Sequence, residues 1–418
     1  MRRLIYLFDS HSSIDSLRLV SFFQDREPGI ELIAIVDEGI ANQAKLSALF
    51  DRHYVVPTTS SPLDPCPMAL SDVVEAAQDE FTGCSDIRVI GYGEYTPLVA
   101  AGLRELFNLD GMRVQDALAF RDKLVMKSVV ANAVRVPTNQ RFNRTTYAAS
   151  PEPYLQKLGK TLGWPFIIKP VNAASAIGTR IIRSALDVDT ATAALSEFAG
   201  SFEAESYISG TLLHCEIVYR DKVPIVACCS MFNRPVLALA EGKCVGSIPL
   251  MPDDPLSLRV IEFCGLALAE TGIRDGLTHT ELFLDDENDL IFLETAARCP
   301  GGRVIEAYIE TMGINLLDLD QRLKAGLPVS AHCEPSGRGA FWAVIPKKAG
   351  RLIGIRDAGL DGTCEVRAFF EVGDVMEGHS NFEQAFGIVF FTSPSYQIAR
   401  RNFNSIANAN FFDVESAC

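Results

Sequence analysis

A chain of 418 residues with 48% hydrophobic and 22% charged residues can bury several cores, which excludes a disordered protein. Its net charge of −15 at pH 7 argues against nucleic-acid or membrane partners, since both need a basic surface. The eleven cysteines form no CxxC pairs, and there is no signal-peptide core and no apolar run of about 18 residues. These features predict a cytoplasmic enzyme without disulfides.

The first 115 residues predict a Rossmann-like domain with a parallel sheet. Short apolar strands at 4–8, 31–36, 54–56 and 87–92 alternate with segments of helix length, as in α/β units. No GxGxxG motif follows the first strand, which removes the main argument for a dinucleotide-dependent oxidoreductase. The sequence GYGE at 91–94 ends a strand and is either an ordinary turn or a ligand contact at the sheet edge.

A lysine and a loop of small residues follow each other in the next segment. Lys169 closes a buried apolar strand and needs a partner, because burying an unpaired ammonium group is costly. The loop at 171–179 contains Ala176 and Gly178, so its backbone amides and the Ser175 hydroxyl can approach a phosphate. A plain hairpin connection would have a similar composition and is the alternative.

Residues 277–296 predict a hairpin that carries two glutamates. Alternation places His279 and Glu281 on one face of the first strand, with Glu294 opposite or diagonal to Glu281 if the acidic turn is centred near residue 287. Two such carboxylates repel each other, and a divalent cation such as Mg²⁺ would turn this repulsion into stabilisation. The alternatives are an ordinary edge charge for Glu281 and a structural role for His279.

Taken in order, these motifs resemble the ATP-grasp superfamily, most closely its carboxylate–amine ligases of the L-amino acid ligase (dipeptide synthetase) type. The resemblance rests on VIGYGEYTPLVAAGL, RDKLVMK, PFIIKP with its small-residue loop, ESYISG, and THTELFL followed by LIFLETAARCPGG. It implies an α/β (α+β) ATP-grasp fold in four parts. These are a Rossmann-like domain at 1–115, a mobile lid subdomain at 116–202, a catalytic subdomain at 203–330 and a small β-rich closing region at 331–418.

The same resemblance implies the site residues. Those that would bind the nucleotide are two lysines, the lid loop and the adenine hinge, namely Lys123, Lys169, Ser175, Ala176, Gly178, Glu205, Tyr207 and Ile208. Glu281 and Glu294 match the carboxylates that hold Mg²⁺. The resemblance implies two Mg²⁺ ions, for which Mn²⁺ can substitute. Arg298 matches the arginine that faces the transferred phosphoryl group. Substrate contacts are predicted at His279, Glu241, Gly301 and Gly302.

Substrate space is predicted where the chain follows Arg298. Gly301 and Gly302 leave room for a bulky or extended acid, and the segment around Glu241 is predicted to line the amine pocket. Aromatic residues of the C-terminal region, such as Trp342, are predicted to belong to the core.

The predicted reaction is ATP-dependent amide formation between an amino acid, or an amino-acid-like carboxylate, and an amine. ATP would activate the carboxylate as an acyl phosphate, and attack by the amine would release phosphate beside ADP. The predicted partners are these small molecules, with a homodimer left open.

Two departures from the superfamily pattern keep an alternative open. Ala296 stands where many members have a metal-binding asparagine, and Leu212 where many have an acidic ribose contact. His214 and Glu216 are either neighbours of the ribose or exposed strand residues. The alternative is a catalytically silent ATP-binding protein of the same fold with a regulatory or assembly role.

Overall fold

The structure is a computed structural model that describes residues 1–10, 12, 14–40, 44–58, 66–356, 358–378 and 384–415. Its N-terminal unit is a four-stranded parallel sheet made of the strands β1 (Arg2–Phe8), β2 (Ile30–Asp37), β3 (Arg52–Val56) and β4 (Asp86–Tyr92), in the order β3–β2–β1–β4. The accompanying helices are α1 (Ser21–Gln24), α2 (Ala44–Leu49), α3 (Leu70–Ala77) and α4 (Thr96–Leu106), with 3-10 turns at Ile14–Leu19 and Gln78–Phe81.

Both faces of this sheet are buried, which explains why its strands are continuously apolar. In β1, Tyr6 and Phe8 join one hydrophobic cluster, whereas Ile5 and Leu7 join the cluster on the other face. The predicted parallel α/β unit is therefore confirmed. Glu94, which follows the end of β4, contacts Arg121 and Arg298 from later parts of the chain.

The next unit contains a four-stranded antiparallel sheet. Its elements, with the two helices that precede it, are α5 (Val114–Leu118), α6 (Lys123–Val130), β5 (Asn139–Phe142), α7 (Arg144–Ala149), α8 (Pro151–Leu162), β6 (Phe166–Pro170), β7 (Arg180–Ile182), α9 (Val188–Glu197) and β8 (Phe202–Ser206). The strand order is β5–β8–β6–β7. Asp122 caps α6 by accepting hydrogen bonds from the amides of Leu124 and Val125, at 2.9 and 3.1 Å, which fixes Lys123 in the first helical position.

A sheet of eight strands dominates the remainder. The elements are β9 (Gly210–Arg220), β10 (Val223–Phe232), β11 (Val245–Pro249), α10 (Pro255–Glu270), β12 (Gly276–Asp285), β13 (Leu290–Ala296), α11 (Val304–Met312), α12 (Leu316–Lys324), β14 (Gly339–Ile345), β15 (Gly350–Ile355), β16 (Thr363–Ala368), β17 (Val375–Met376), β18 (Gly387–Ser393), α13 (Tyr396–Ser405) and β19 (Phe412–Glu415). The large sheet has the order β13–β12–β9–β10–β11–β14–β18–β16, and a small sheet has the order β17–β15–β19. Further 3-10 turns lie at Val236–Glu241 and Ile406–Asn408.

The C-terminal region shares this large sheet. Strand β14 pairs with β11, and β18 and β16 continue the sheet beyond it. Residues after 330 therefore extend the same surface that carries β12 and β13, which brings C-terminal side chains close to the predicted site. Among the described helices, none has both the length and the apolar character needed to cross a membrane.

Candidate active site

The hairpin β12–β13 places its two glutamates opposite each other, which is one of the two arrangements, opposite or diagonal, that the sequence predicted. Glu281 pairs with Glu294, but Leu282 pairs with Phe292, so Leu293 is an extra residue in β13. This β-bulge lets Leu293 and Glu294 both face a cavity, while Phe292 packs into the core beneath α6. Simple alternation would have put Phe292 on the same face as Glu294.

Both predicted phosphate-binding lysines lie beside the second glutamate. The Nζ atom of Lys123 is 3.5 Å from Oε2 of Glu294 and donates a 2.6 Å hydrogen bond to the carbonyl of Ala173. The Nζ atom of Lys169 is 3.8 Å from the same glutamate oxygen and 2.7 Å from Oε1 of Glu205. The partner that Lys169 required is thus a carboxylate on the neighbouring strand β8.

These contacts determine the charge states. Burial favours the neutral form of Glu294, but Lys123 and Lys169 outweigh it and lower the pKa of that carboxyl to about 2. Burial also works against a charged Lys169, yet Glu205 and Glu203 outweigh it and raise the pKa of this amine above its usual value. For Lys123 burial prevails, so its pKa is lowered. The site therefore holds a carboxylate between two amines whose pKa values shift in opposite directions.

A third lysine, which the sequence did not assign, completes this cluster. Lys127 lies one helical turn after Lys123, and its Nζ atom is 2.6 Å from Oε1 of Glu203 and 2.7 Å from Oε2 of Glu205. All three side chains are buried. The spacing of the two lysines on α6 and of the two glutamates on β8 was visible in the sequence, but it did not show that helix and strand pack together.

Replacing Lys127 with methionine is expected to lower the free energy of unfolding by about 3–5 kcal/mol, because two buried carboxylates would then share only Lys169. Urea denaturation measures this loss. The exposed Lys157 on α8 supplies the control, and methionine there is expected to change stability by about 0.5 kcal/mol or less. Equal stability of the two variants would contradict the structural role of Lys127.

The small-residue loop adopts a conformation suited to anions. Ser175 and Ala176 have φ angles of 55° and 58°, a left-handed region that non-glycine residues rarely occupy. Both residues line a cavity, and consecutive amides in such turns form concave anion sites. Gly178 has φ 68° but lies against Pro170, where a Cβ atom would come within 2.9 Å of the ring. Gly178 therefore shapes the loop without lining the cavity.

The predicted adenine hinge lines the same cavity. Tyr207 and Ile208 follow β8 and face this space, while the side chain of Glu205 points at the lysines. Leu212, which stands where many superfamily members have an acidic ribose contact, lines the wall of this cavity. Glu241 also lines this cavity. Its predicted place in an amine pocket stays a prediction.

Two cavities meet at the hairpin. The first extends from Lys169 and the small-residue loop to the hinge. The second extends past Arg298. The residues that line both cavities are Lys123, Ala174, Ser175, Val236, Glu281 and Glu294. A group bound at this shared wall is therefore accessible from both sides.

Arg298 lines only the second cavity and is held by an ion pair. Its Nε atom contacts the carboxylate of Glu94, which also pairs with Arg121. Arg121 in turn donates a 2.5 Å hydrogen bond to the carbonyl of Asn172. The sequence did not assign Glu94 or Arg121, although Glu94 follows the strand-end glycines and Arg121 precedes the cap of α6. Their positions fix the orientation of Arg298.

A buried polar chain lies beneath Glu281. The Nε2 atom of His279 is 3.5 Å from Oε1 of Glu281, and its Nδ1 atom is 2.6 Å from Oε1 of Glu216. The same oxygen of Glu216 is 2.8 Å from Nδ1 of His214, and its other oxygen accepts a hydrogen bond from Tyr308. The reading of His214 and Glu216 as exposed strand residues was wrong, because β9 packs beside β12 and buries them.

The hydrogen-bonded side chains around Glu216 determine the charge of His279. Burial opposes the imidazolium form, but hydrogen bonds to Glu216 and Glu281 outweigh it and raise the pKa of His279 to about 9. Burial likewise opposes ionised Glu216, yet His214 and His279 lower the pKa of that carboxyl to about 2. His279 is therefore a charged donor that orients Glu281.

The two glycines that were predicted to contact the substrate, Gly301 and Gly302, differ in the space around them. Gly301 lines the second cavity, and a Cβ atom there would meet no heavy atom within 4 Å. Gly302 has φ 66°, and a Cβ atom there would lie 2.7 Å from the Trp342 ring. The open space expected at Gly302 is thus filled by Trp342. Trp342 is buried as predicted for a core residue, but it also lines the second cavity.

Comparisons with known proteins agree with this geometry. No protein-family model matches the chain. The sequence is 24% identical over 299 residues to the L-arginine-specific L-amino acid ligase of Bacillus subtilis, covering 69% of this chain and 71% of that one. The structure is similar to L-amino acid ligase from Bacillus licheniformis, with a TM-score of 0.74 and 17% identity over 100% of this chain and 99% of that chain.

A second solved structure contains bound nucleotide. The biotin carboxylase domain of 2-oxoglutarate carboxylase from Hydrogenobacter thermophilus, in complex with the magnesium salt of ADP, has a TM-score of 0.63 and 15% identity over 99% of this chain and 91% of that chain. These similarities confirm the resemblance that the motifs indicated. The chain therefore has the ATP-grasp fold, and its sequence and structure are similar to those of L-amino acid ligases.

Proposed function

We propose that this protein is an ATP-dependent carboxylate–amine ligase that joins an amino acid, or an amino-acid-like carboxylate, to an amine through an acyl phosphate. The observation that carries the proposal is the pair of cavities that meet at Lys123, Ser175, Glu281 and Glu294. ATP bound in the first cavity would present its γ-phosphoryl group at this wall. A carboxylate in the second cavity would approach the same group from the other side.

The residues at the shared wall fit Mg²⁺. Glu281 and Glu294 offer carboxylate oxygens from facing strands, and Mg²⁺ is usually held by one or two carboxylates together with substrate phosphates. We propose two Mg²⁺ ions, for which Mn²⁺ can substitute, with phosphate oxygens completing the coordination that Ala296 cannot supply. When bound, the ions would neutralise the charge of the transferred group.

Positive side chains follow the proposed path of the phosphoryl group. Lys169 lines the nucleotide cavity, Lys123 lines both cavities and Arg298 lines the substrate cavity. The bond from the γ-phosphorus to the β–γ bridging oxygen breaks as a carboxylate oxygen of the substrate bonds to phosphorus. The amine then attacks the acyl carbon, the carbon–oxygen bond to phosphate breaks, and the amine loses a proton. Charge stabilisation along this path is the main contribution of the protein.

The proposed lid at 116–202 would protect the acyl phosphate from water. Its loop residue Ser175 lines both cavities, so movement of this unit would open or close both. We further propose a cytoplasmic location, where ATP and amino acids are available, and a possible homodimer remains a prediction.

Incubation with ATP, Mg²⁺ and pooled amino acids tests the function. The expected result is release of ADP and phosphate together with a product whose mass equals acid plus amine minus one water, detected by liquid chromatography and mass spectrometry. The alternative, a silent ATP-binding protein, predicts ATP binding without turnover. Tight ATP binding with no ADP release for any acid–amine pair would reject the ligase proposal.

Replacing Glu216 with glutamine is expected to lower kcat by about 10- to 100-fold and to raise the Mg²⁺ concentration needed for half-maximal activity. The reason is that His279 would lose the carboxylate that fixes its ring against Glu281. Titration of ligase activity with Mg²⁺ measures the change. A variant with reduced thermal stability but an unchanged Mg²⁺ requirement would show that Glu216 has only a structural role.

A further inference from the structure

One wall of the second cavity is built from apolar side chains of three neighbouring strands. Phe232 on β10 pairs with Ser247 on β11, which pairs with Trp342 on β14, and Val245 pairs with Val344 in the same two strands. Residues two apart share a face, so these side chains point into one space. The Phe232 and Trp342 rings have centroids 6.5 Å apart and meet edge to face at 78°.

Two further elements complete this apolar wall. The 3-10 turn at Val236–Glu241 contributes Val236 and Leu239, and the first residue of α11 contributes Val304. Leu239 and Val304 are buried, whereas Val236 is only half-buried. We define the apolar wall as the apolar side chains of these strands, the turn and α11, namely Phe232, Val236, Leu239, Val245, Val304, Trp342 and Val344.

The ionisable residues that line this cavity form a second, connected set. Among the described residues these are Glu94, Arg121, Lys123, His279, Glu281, Glu294 and Arg298. They pair with one another, since Glu94 contacts both arginines, Lys123 approaches Glu294 and His279 approaches Glu281. The cavity therefore combines paired ionisable groups, which include the residues at the proposed site of phosphoryl transfer, with a wall of apolar side chains.

We propose that the acid activated at this site is an α-amino acid with a bulky apolar side chain, aliphatic or aromatic, which packs against the apolar wall. This inference rests on the proposed ligase function. The acid, and not the amine, is assigned here because Arg298 and Gly301 line the same cavity and the acyl phosphate would form beside Arg298. An arginine, lysine or glutamate side chain in this position would lose its hydration without finding a partner for its charge.

The activation step can be tested without knowing the amine. Single amino acids are incubated with ATP, Mg²⁺ and hydroxylamine, which attacks the acyl phosphate and yields a hydroxamate that is measured as its coloured iron(III) complex. Leucine, methionine and phenylalanine are expected to give kcat/KM values at least about 100-fold above those of arginine, lysine and glutamate.

A pair of valine variants tests the wall itself. Val236 lines both cavities, so the readout is the ratio of the arginine rate to the leucine rate, which an effect on ATP binding alone would not change. Val236→Asp is expected to raise this ratio at least about 10-fold. Val223 lies at the far end of β10 and is 59% exposed, so Val223→Asp is the control and is expected to leave both rates nearly unchanged. The wild-type panel remains decisive if Val236→Asp does not fold.

The possible failures can be distinguished. Preferred activation of a charged amino acid by the wild-type enzyme would overturn the inference and leave the ligase proposal intact. Apolar amino acids that enter a product only as the amine, and give no hydroxamate alone, would also overturn it. Absence of ADP and hydroxamate with every acid, alone or with an amine, would reject the ligase proposal and this inference together.

Discussion

Replacing Glu294 with glutamine is expected to lower ATP-dependent amide formation about 1000-fold while the protein stays folded. Glutamine has the same shape but no charge, so it weakens the proposed Mg²⁺ site and removes the carboxylate beside Lys123 and Lys169. The wild-type carboxyl is ionised at neutral pH, because its pKa is about 2. The substitution therefore removes a full negative charge from the point where the cavities meet.

Folding is expected to survive because the other partners remain. Lys169 keeps its 2.7 Å contact with Glu205, and Lys123 keeps its hydrogen bond to the carbonyl of Ala173. ADP release measures activity, and thermal unfolding measures stability. Glu287, in the exposed turn of the same hairpin, supplies the control Glu287→Gln, which should behave as wild type. Wild-type rates for Glu294→Gln would remove the metal assignment.

Much of the hairpin could be predicted from local sequence. The acidic turn sets the register in which Leu284 pairs with Leu290, and this register places Glu281 within one residue of Glu294 across the hairpin. The bulge supplies the remaining shift that brings the two glutamates directly opposite each other. The bulge at Leu293 could not be predicted in this way, because an extra residue breaks the period without a compositional signal. As a result, Leu293 lines the nucleotide cavity, and Phe292 packs against α6.

The residues that were missed depend on strand neighbours that are distant in sequence. Glu216 reaches His279 because β9 lies beside β12, and Trp342 reaches the substrate cavity because β14 pairs with β11. Alternation identifies strands and their faces, but it does not identify the strand that will lie alongside. The buried position of Lys127 depends in the same way on the packing of α6 against β8.

Replacing Arg298 with glutamine is expected to lower kcat/KM for the acid by about 100- to 1000-fold and to leave the affinity for ATP nearly unchanged. Arg298 lines only the second cavity, so the nucleotide would keep its contacts with Lys123 and Lys169. Glu94 would retain Arg121 as its partner, which avoids an unpaired buried carboxylate. The loss should therefore appear in catalysis and not in stability.

The matched variants make this expectation specific to the guanidinium group. Arg298→Lys is expected to recover only part of the activity, because a point charge cannot contact Glu94 and the phosphoryl oxygens with the planar geometry of arginine. Arg274 is exposed on the surface, so Arg274→Gln controls for the loss of one positive charge. Steady-state kinetics with the preferred acid, together with calorimetric titration of ATP, separates the two effects. An equal loss of ATP affinity and of acid turnover would contradict the placement of Arg298 on the substrate side, because a residue confined to the second cavity should not be felt by the nucleotide.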